Sequence, residues 1–358
     1  MNRGSAAREL VSTDSPVPVA WDVAASTAQR LIRPGPVVPR EEAEEAVRRL
    51  RALSVTAEGH VRELTGLGHG LPLRPGEVVD RMGWVQAATD GLAALTGSTS
   101  RVTGGGWLPG VAAGTAGMEV GLVLAYLGTR VLGQYDPFGG PGGTGRLLLV
   151  APNVVGVQRA LDVPADDFRM WVCLHEATHR LQFTAVPWLR DHFAREVNLL
   201  LSSMDESSMS LLSRLPEAVR EARRRGRAMG GPVALIELLQ APNQRAVLDR
   251  LIALSTLLEG HADHVMDAVG PAVVPSVATI RARFTARRRG GGLADRLLRV
   301  LLGVDAKVQQ YAQGAAFTRH VVNAVGMDGF NAVWARPENL PTREEISDPG
   351  AWLRRVHG

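Results

Sequence analysis

Cysteine occurs once in the 358 residues, at Cys173, so no internal disulfide can form and a disulfide-stapled secreted scaffold is excluded. Lysine also occurs once, at Lys307, and arginine supplies the rest of the 40 basic residues. That bias suggests a GC-rich genome and raises the isoelectric point without raising the net charge beyond +4, so it is no argument for a nucleic-acid partner. Aromatic residues are sparse, and the arginine run at 281–289 has only Phe284 among it; it reads as a solvated face. The first twenty residues lack the apolar stretch of a signal peptide and read as a flexible tail, so a cytoplasmic location is expected. Internal repeats and a Pro/Ser-rich linker are also lacking. The longest apolar run, 107–135, is broken by Glu119 and by five glycines between Gly110 and Gly128, which suits a helix packed in a protein core rather than a membrane span.

What is present is concentrated in residues 168–183, FRMWVCLHEATHRLQF, where His175, Glu176 and His179 stand in the order H-E-x-x-H. On a helix, residues four apart lie about 40° apart around the axis, so both imidazoles project from one face and can hold one zinc ion. Glu176 is about 100° further round, where its carboxylate can reach a metal-bound water rather than the metal. That is the position of a general base. The flanking Trp171, Val172, Leu174, Leu181 and Phe183 mark a buried helix, which would not carry two histidines and a glutamate without partners for them. Cys173, on the opposite side from His175, reads as a packed core thiol.

A catalytic zinc site needs a third protein ligand and one open position. The strongest candidate is in residues 257–267, LLEGHADHVMD, where Glu259 and Asp263 are again four apart. Glu259 would bind the metal, and Asp263 would accept the second N–H of a ligating histidine, fixing its tautomer. His261 and His264 are the rival ligands, displaced from Glu259 by about 200° and 140° on a helix.

This pairing resembles the glutamate-type zincins, metallopeptidases with H-E-x-x-H on one helix and E-x-x-x-D on a later one. More closely, the chain resembles a family of zinc-dependent metallopeptidases inferred in actinobacteria and their relatives, some of them associated with deazaflavin-coenzyme biosynthesis. The likeness is carried by WVCLHEATHRLQF at 171–183, PWLR at 187–190, LLEGHADHVMD at 257–267, KVQQYAQGAAF at 307–317 and GFNAVW at 329–334. It implies a mainly α fold with a zincin-like core, one zinc per chain held by His175, His179 and Glu259, and a peptide or amide substrate. Glu176 would move the proton. Tyr311, in the family-like KVQQYAQG, is a candidate oxyanion donor beside a plain packing role, with Arg319 and His320 behind it. The alternative is a catalytically inactive relative whose zinc is structural or whose cleft binds a partner; Glu176 argues against it, because a structural site has no need of a base.

Along the chain, helices are expected at 21–32, 40–53, 60–67, 78–95, 187–203, 208–226, 233–240, 244–269, 293–304 and 305–325, with a tail strapped over the surface. Between 131 and 150 the pattern changes to two extended segments joined by the glycine-rich 139–145, a hairpin beside the cleft. That turn lacks the Gly-Lys-Ser/Thr ending of a phosphate loop. Residues 146–150 are the expected edge strand for pairing with an extended substrate. The organisation expected is a tail at 1–20, an N-terminal helical lobe at 21–135 and a zincin-like region at 136–358, joined as one compact unit.

Overall fold

A computed structural model describes residues 19–97, 107–205, 242–289 and 304–358. The helices expected at 208–226 and 233–240, most of the one at 293–304 and most of the N-terminal tail lie outside the described residues.

The first helix, α1 (Trp21–Leu31), ends ahead of Pro34 and Pro36, close to the expected boundary. The next two expected helices are one. Helix α2 (Arg40–Thr65) runs straight through the segment between them, because Leu50, Ser54, Ala57, Val61 and Thr65 continue a single buried stripe. It stops where Gly66 adopts φ 71°, a left-handed cap whose N–H returns to the Arg62 carbonyl. Val78 and Val79, expected to open a helix, instead form β1 (Glu77–Val79). The helix begins after Asp80, whose carboxylate accepts the Gly83 N–H at 2.7 Å, and runs as α3 (Arg81–Leu95).

The long apolar run becomes α4 (Trp107–Gly128) and then turns into a strand. Its glycines let α1 lie on it: a Cβ at Gly117 would sit 2.6 Å from the Ala20 carbonyl oxygen, and one at Gly121 2.7 Å from that of Ala24. Among the described residues, no helix is long and apolar enough to cross a membrane.

β2 (Gly133–Asp136) and β3 (Arg146–Val150) form the expected hairpin, and β1 adds in parallel on the far side of β3. The strand order β1-β3-β2 places Arg146–Val150 in the centre, so it is not the edge strand expected from the sequence. The reason is legible in its composition. Leu147, Leu148, Leu149 and Val150 are all buried, an unbroken apolar run of the kind that a strand covered on both faces requires.

Five more helices complete the part that positions the site: α5 (Ala151–Leu161), α6 (Ala165–Thr184), α7 (Leu189–Asp205), α8 (Pro242–Val269) and α9 (Val277–Arg289). Helix α10 (Val304–Phe330) packs along α8 and is kinked at Gly326, where φ is 73°. The C-terminal tail is fastened to the core. Thr342 and Glu345 make a reciprocal capping box at the start of α11 (Arg343–Ser347), and Trp352 of α12 (Pro349–His357) is fully buried with its indole N–H on the Asn339 carbonyl at 2.7 Å.

Helix α6 stands between two cores. Its first half packs with α2 and β3 around Phe168, Trp171, Cys173 and Leu174; beyond it, α8, α10 and the C-terminal helices enclose Leu257, Phe317, Phe330 and Trp352.

Candidate metal centre

Helix α6 starts after Pro164 with Asp166 and Asp167 in its first turn, where carboxylates favour the positive end of the helix dipole. Most of its circumference is buried. The face left partly open carries His175 and His179, whose rings meet edge to face with centroids 4.6 Å apart. Their Nε2 atoms are 3.1 Å apart.

Helix α8 returns to this face and presents Glu259. Its carboxylate oxygens lie 3.5 Å from His175 Nε2 and 3.9 Å from His179 Nε2. One donor atom from each of the three residues falls within a 4.8 Å cluster, a group that could hold a metal ion. The donor set fits zinc: tetrahedral bonds of about 2.0–2.1 Å put neighbouring ligand atoms about 3.3 Å apart, and the three observed spacings bracket that value. Neither rival joins them. His261 is fully buried on another side of α8, its ring against Phe330 and Trp334, and burial pushes its pKa down to about 3. His264 lies outside the cluster, and burial lowers its pKa as well.

Burial works against a charge on His175, but the hydrogen bond to Glu259 and the surrounding carboxylates outweigh it and raise the pKa to about 9. Burial lowers His179, reinforced by the charge of His175. Glu176 is 6% exposed, and burial raises its carboxyl to about 7. The strand β2 presses on it from the side: a Cβ at Gly133 would lie 2.5 Å from Glu176 Cγ and 2.9 Å from Oε1. Any larger residue here would force the Glu176 side chain or β2 to shift. Cys173 is sealed in the core, its thiol held well above the usual range by burial.

The surroundings depart from expectation at Asp263. Its carboxylate and carbonyl face Arg281 of α9, at 3.5 and 2.9 Å, and it makes no hydrogen bond to either histidine. Those Nδ1 atoms have other partners: Met266 Sδ at 3.3 Å from His175 and Gln182 Oε1 at 2.9 Å from His179. Asp263 acts on the histidines through its charge alone. Gln182 and Met266 are absent from the candidates that the motifs supply. Helical spacing could have found both: Gln182 is three residues after His179, and Met266 is seven after Glu259, about 20° from it around α8. Tyr311 lies in α10, but its side chain is outside the described residues; Arg319 and His320 are exposed.

One residue past His179, Arg180 crosses to α2 and meets Glu58 at 2.7 Å, and Arg62 meets the same carboxylate at 2.5 Å. Glu58 is almost completely buried, so this pair fixes the rotation of α6 at the metal face.

No curated protein matches this chain. Among solved structures, a Chloroflexus aurantiacus protein described as having a novel fold and a suggested hydrolase activity is 32% identical and superimposes with a TM-score of 0.65, over 95% of this chain and 99% of its own. The model of the zincin-like metallopeptidases matches residues 19–353, which takes in α1 at one end, both metal-site helices and all but the last turn of α12. A match that follows the fold over this length makes the chain a member of the zincin-like metallopeptidase family.

Proposed function

We propose that this protein is a zinc-dependent peptidase or amide hydrolase, with His175, His179 and Glu259 as the metal ligands and Glu176 as the general base. The observation that carries the reading is the convergence of two imidazole nitrogens and a carboxylate from α6 and α8, with a second, buried carboxyl one residue from a ligand. When bound, zinc would act as a Lewis acid and make a hydroxide nucleophile available near neutral pH.

The chain's own residues would do the rest. Glu176, raised to about 7 by burial, is poised to take a proton at its carboxylate from the attacking water and return it to the leaving amine. Gly133 lets β2 run close against Glu176, which limits the base's movement and keeps bulk water from that side. The outer edge of β2, unpaired among the described residues, takes over the substrate-pairing role that the sequence suggests for residues 146–150. The actinobacterial type and the deazaflavin association belong to this proposal and rest on the sequence motifs alone.

Glu176→Gln tests it, because the change keeps size and leaves the three ligands in place. Zinc content and melting temperature are expected to match the wild type, while cleavage of a diverse peptide library, read by mass spectrometry, falls at least about a hundredfold. Undiminished cleavage by the variant would refute the mechanism, and a wild type that cleaves nothing would favour a binding role.

A further inference from the structure

Gln182 is completely buried, and its single amide touches both helices of the metal site. Its Nε2 lies 2.9 Å from the Leu258 carbonyl and 3.1 Å from His261 Nδ1; its Oε1 lies 2.9 Å from His179 Nδ1. A backbone carbonyl can only accept, so the group facing Leu258 must be the NH2, and the amide orientation follows. The oxygen then faces His179 and can only accept. His179 must therefore carry its hydrogen on Nδ1, which leaves the lone pair on Nε2, the atom turned toward His175 and Glu259.

The second amide hydrogen goes to His261 Nδ1. That places the remaining hydrogen of His261 on Nε2, a buried atom with no hydrogen-bond partner, in a ring set against Phe330 and Trp334. A buried donor left without a partner is destabilising, because its lost hydration is not repaid. A phenylalanine would fill the same space among these rings without that cost, but it could not accept from Gln182. The histidine's nitrogen thus serves the amide.

We propose that Gln182 is a positioning residue of the metal centre: one amide sets the tautomer of His179 for metal binding and fixes the Leu258–Glu259 turn of α8 against α6, with His261 as its buried acceptor. The proposal rests on the ligand assignment above and extends it to the device that presents two of the three ligands together. It also explains how the site manages without Asp263, whose side chain is engaged with Arg281.

The test uses the full chain, one acidic and one apolar replacement, Gln182→Glu and Gln182→Met, and two readings. Zinc affinity is measured by competition with a chromophoric chelator, and the histidine tautomers of chelator-treated protein by long-range proton–nitrogen NMR at mildly alkaline pH. Wild-type His179 is expected to be protonated on Nδ1. Gln182→Met should bind zinc about 10–100-fold more weakly, the range for loss of a partner that orients a ligand, and its His179 should show mixed tautomers. Gln182→Glu keeps the acceptor for His179 and should keep the Nδ1–H form, recovering part of the affinity. A merely structural glutamine would lower stability in both variants and leave the tautomer unmoved.

His179 protonated on Nε2 in the wild type, or wild-type affinity in Gln182→Met, would overturn the proposal while leaving the metal site standing. If the wild type takes up no zinc, the ligand reading fails, and the tautomer comparison alone decides the role of Gln182. If Gln182→Met does not fold, the wild-type and Gln182→Glu tautomers carry the same decision.

Discussion

Two glycine-to-alanine changes, both inside long helices, should have opposite effects. Gly260 follows Glu259 on α8 where that helix crosses α10 at Gly314, and the contact is backbone on backbone: a Cβ at Gly260 would run into the Gly314 backbone, and one at Gly314 would lie 3.0 Å from Gly260 Cα and run into the Thr256 carbonyl. Carbon atoms need about 3.5–4.0 Å, so α8 and α10 must separate by on the order of 1 Å to admit a methyl group. Alanine gains up to about 1 kcal/mol over glycine in helix propensity, but overpacking costs about 1–3 kcal/mol, and with rigid backbone on both sides the high end applies. Gly260→Ala should therefore lose roughly 1–2 kcal/mol in urea unfolding. The displaced helix carries Glu259, so zinc affinity should fall as well. At Gly59, within α2, an added Cβ would have nothing within 4 Å. Gly59→Ala should gain about 0.5–1 kcal/mol and leave zinc affinity unchanged. A Gly260→Ala protein as stable and as tight for zinc as the wild type would refute the close crossing, and a destabilised Gly59→Ala would refute the open surface there.

Gly133→Ala should keep zinc, because the three atoms nearest an added Cβ all belong to Glu176, yet lower hydrolysis by on the order of a hundredfold, since displacing the base by about 1 Å is enough for that; zinc content with peptide-cleavage rates checks both halves. Glu345, hydrogen-bonded to Arg355 and to the Thr342 N–H, is held below the usual carboxylate range, chiefly by Arg355 and against the opposing effect of burial. A depressed pKa stabilises the fold above the unfolded value of about 4.3 and loses that contribution as pH falls through the folded value. Glu345→Gln should thus cost about 1–3 kcal/mol at neutral pH, with a deficit that shrinks in acid; a deficit independent of pH would place the loss elsewhere. Removing metal with a chelator should leave the helical circular dichroism and cooperative unfolding intact, while zinc at about a thousandfold excess over its Kd adds about 4 kcal/mol by mass action. Loss of the helical signal on chelation would contradict this.

The part of the site legible in the sequence is the part that helix geometry fixes locally. His175 and His179 share a face because they are four apart, and Glu259 is separated from His261 by the same rule, which also correctly sends His261 to another side of α8. What cannot be read depends on neighbours from distant sequence. Asp263 is one turn beyond Glu259, yet the drift of about 40° per four residues carries it toward α9 and Arg281. Spacing places Gln182 beside His179, but its second role, the hold on α8, appears only when the fold brings Leu258 and His261 to it. The strand order is hidden because β1 is three residues long and sits at the start of an apparent helix; without it, Arg146–Val150 has only one partner and looks like an edge. Helix α2 divides in two by sequence pattern because residues 54–59 contain serine, threonine and glycine, and its continuity is imposed by the tertiary contacts of Leu50, Ala57 and Val61.

The contacts that orient the ligands are mostly not made by the ligands. Helix α6 is held in rotation by the Glu58 pair with Arg62 and Arg180, and by Phe168, Trp171 and Leu174 in the first core. Helix α8 is held along its axis by the Gly260–Gly314 crossing and by Leu257 and Leu258 in the second. Toward its C-terminal end α8 also enters the first core through Val265 and Met266, and the buried amide of Gln182, with the His175–Met266 contact, links the two helices beside the candidate ligands. In small zinc domains the metal's binding energy has to order the chain, because no core exists without it. In the proposed site the two cores would supply that order, so the binding energy of a metal would remain available for affinity, and the partly exposed face of His175, His179 and Glu259 would keep one coordination position open to a substrate instead of closing it with a fourth side chain.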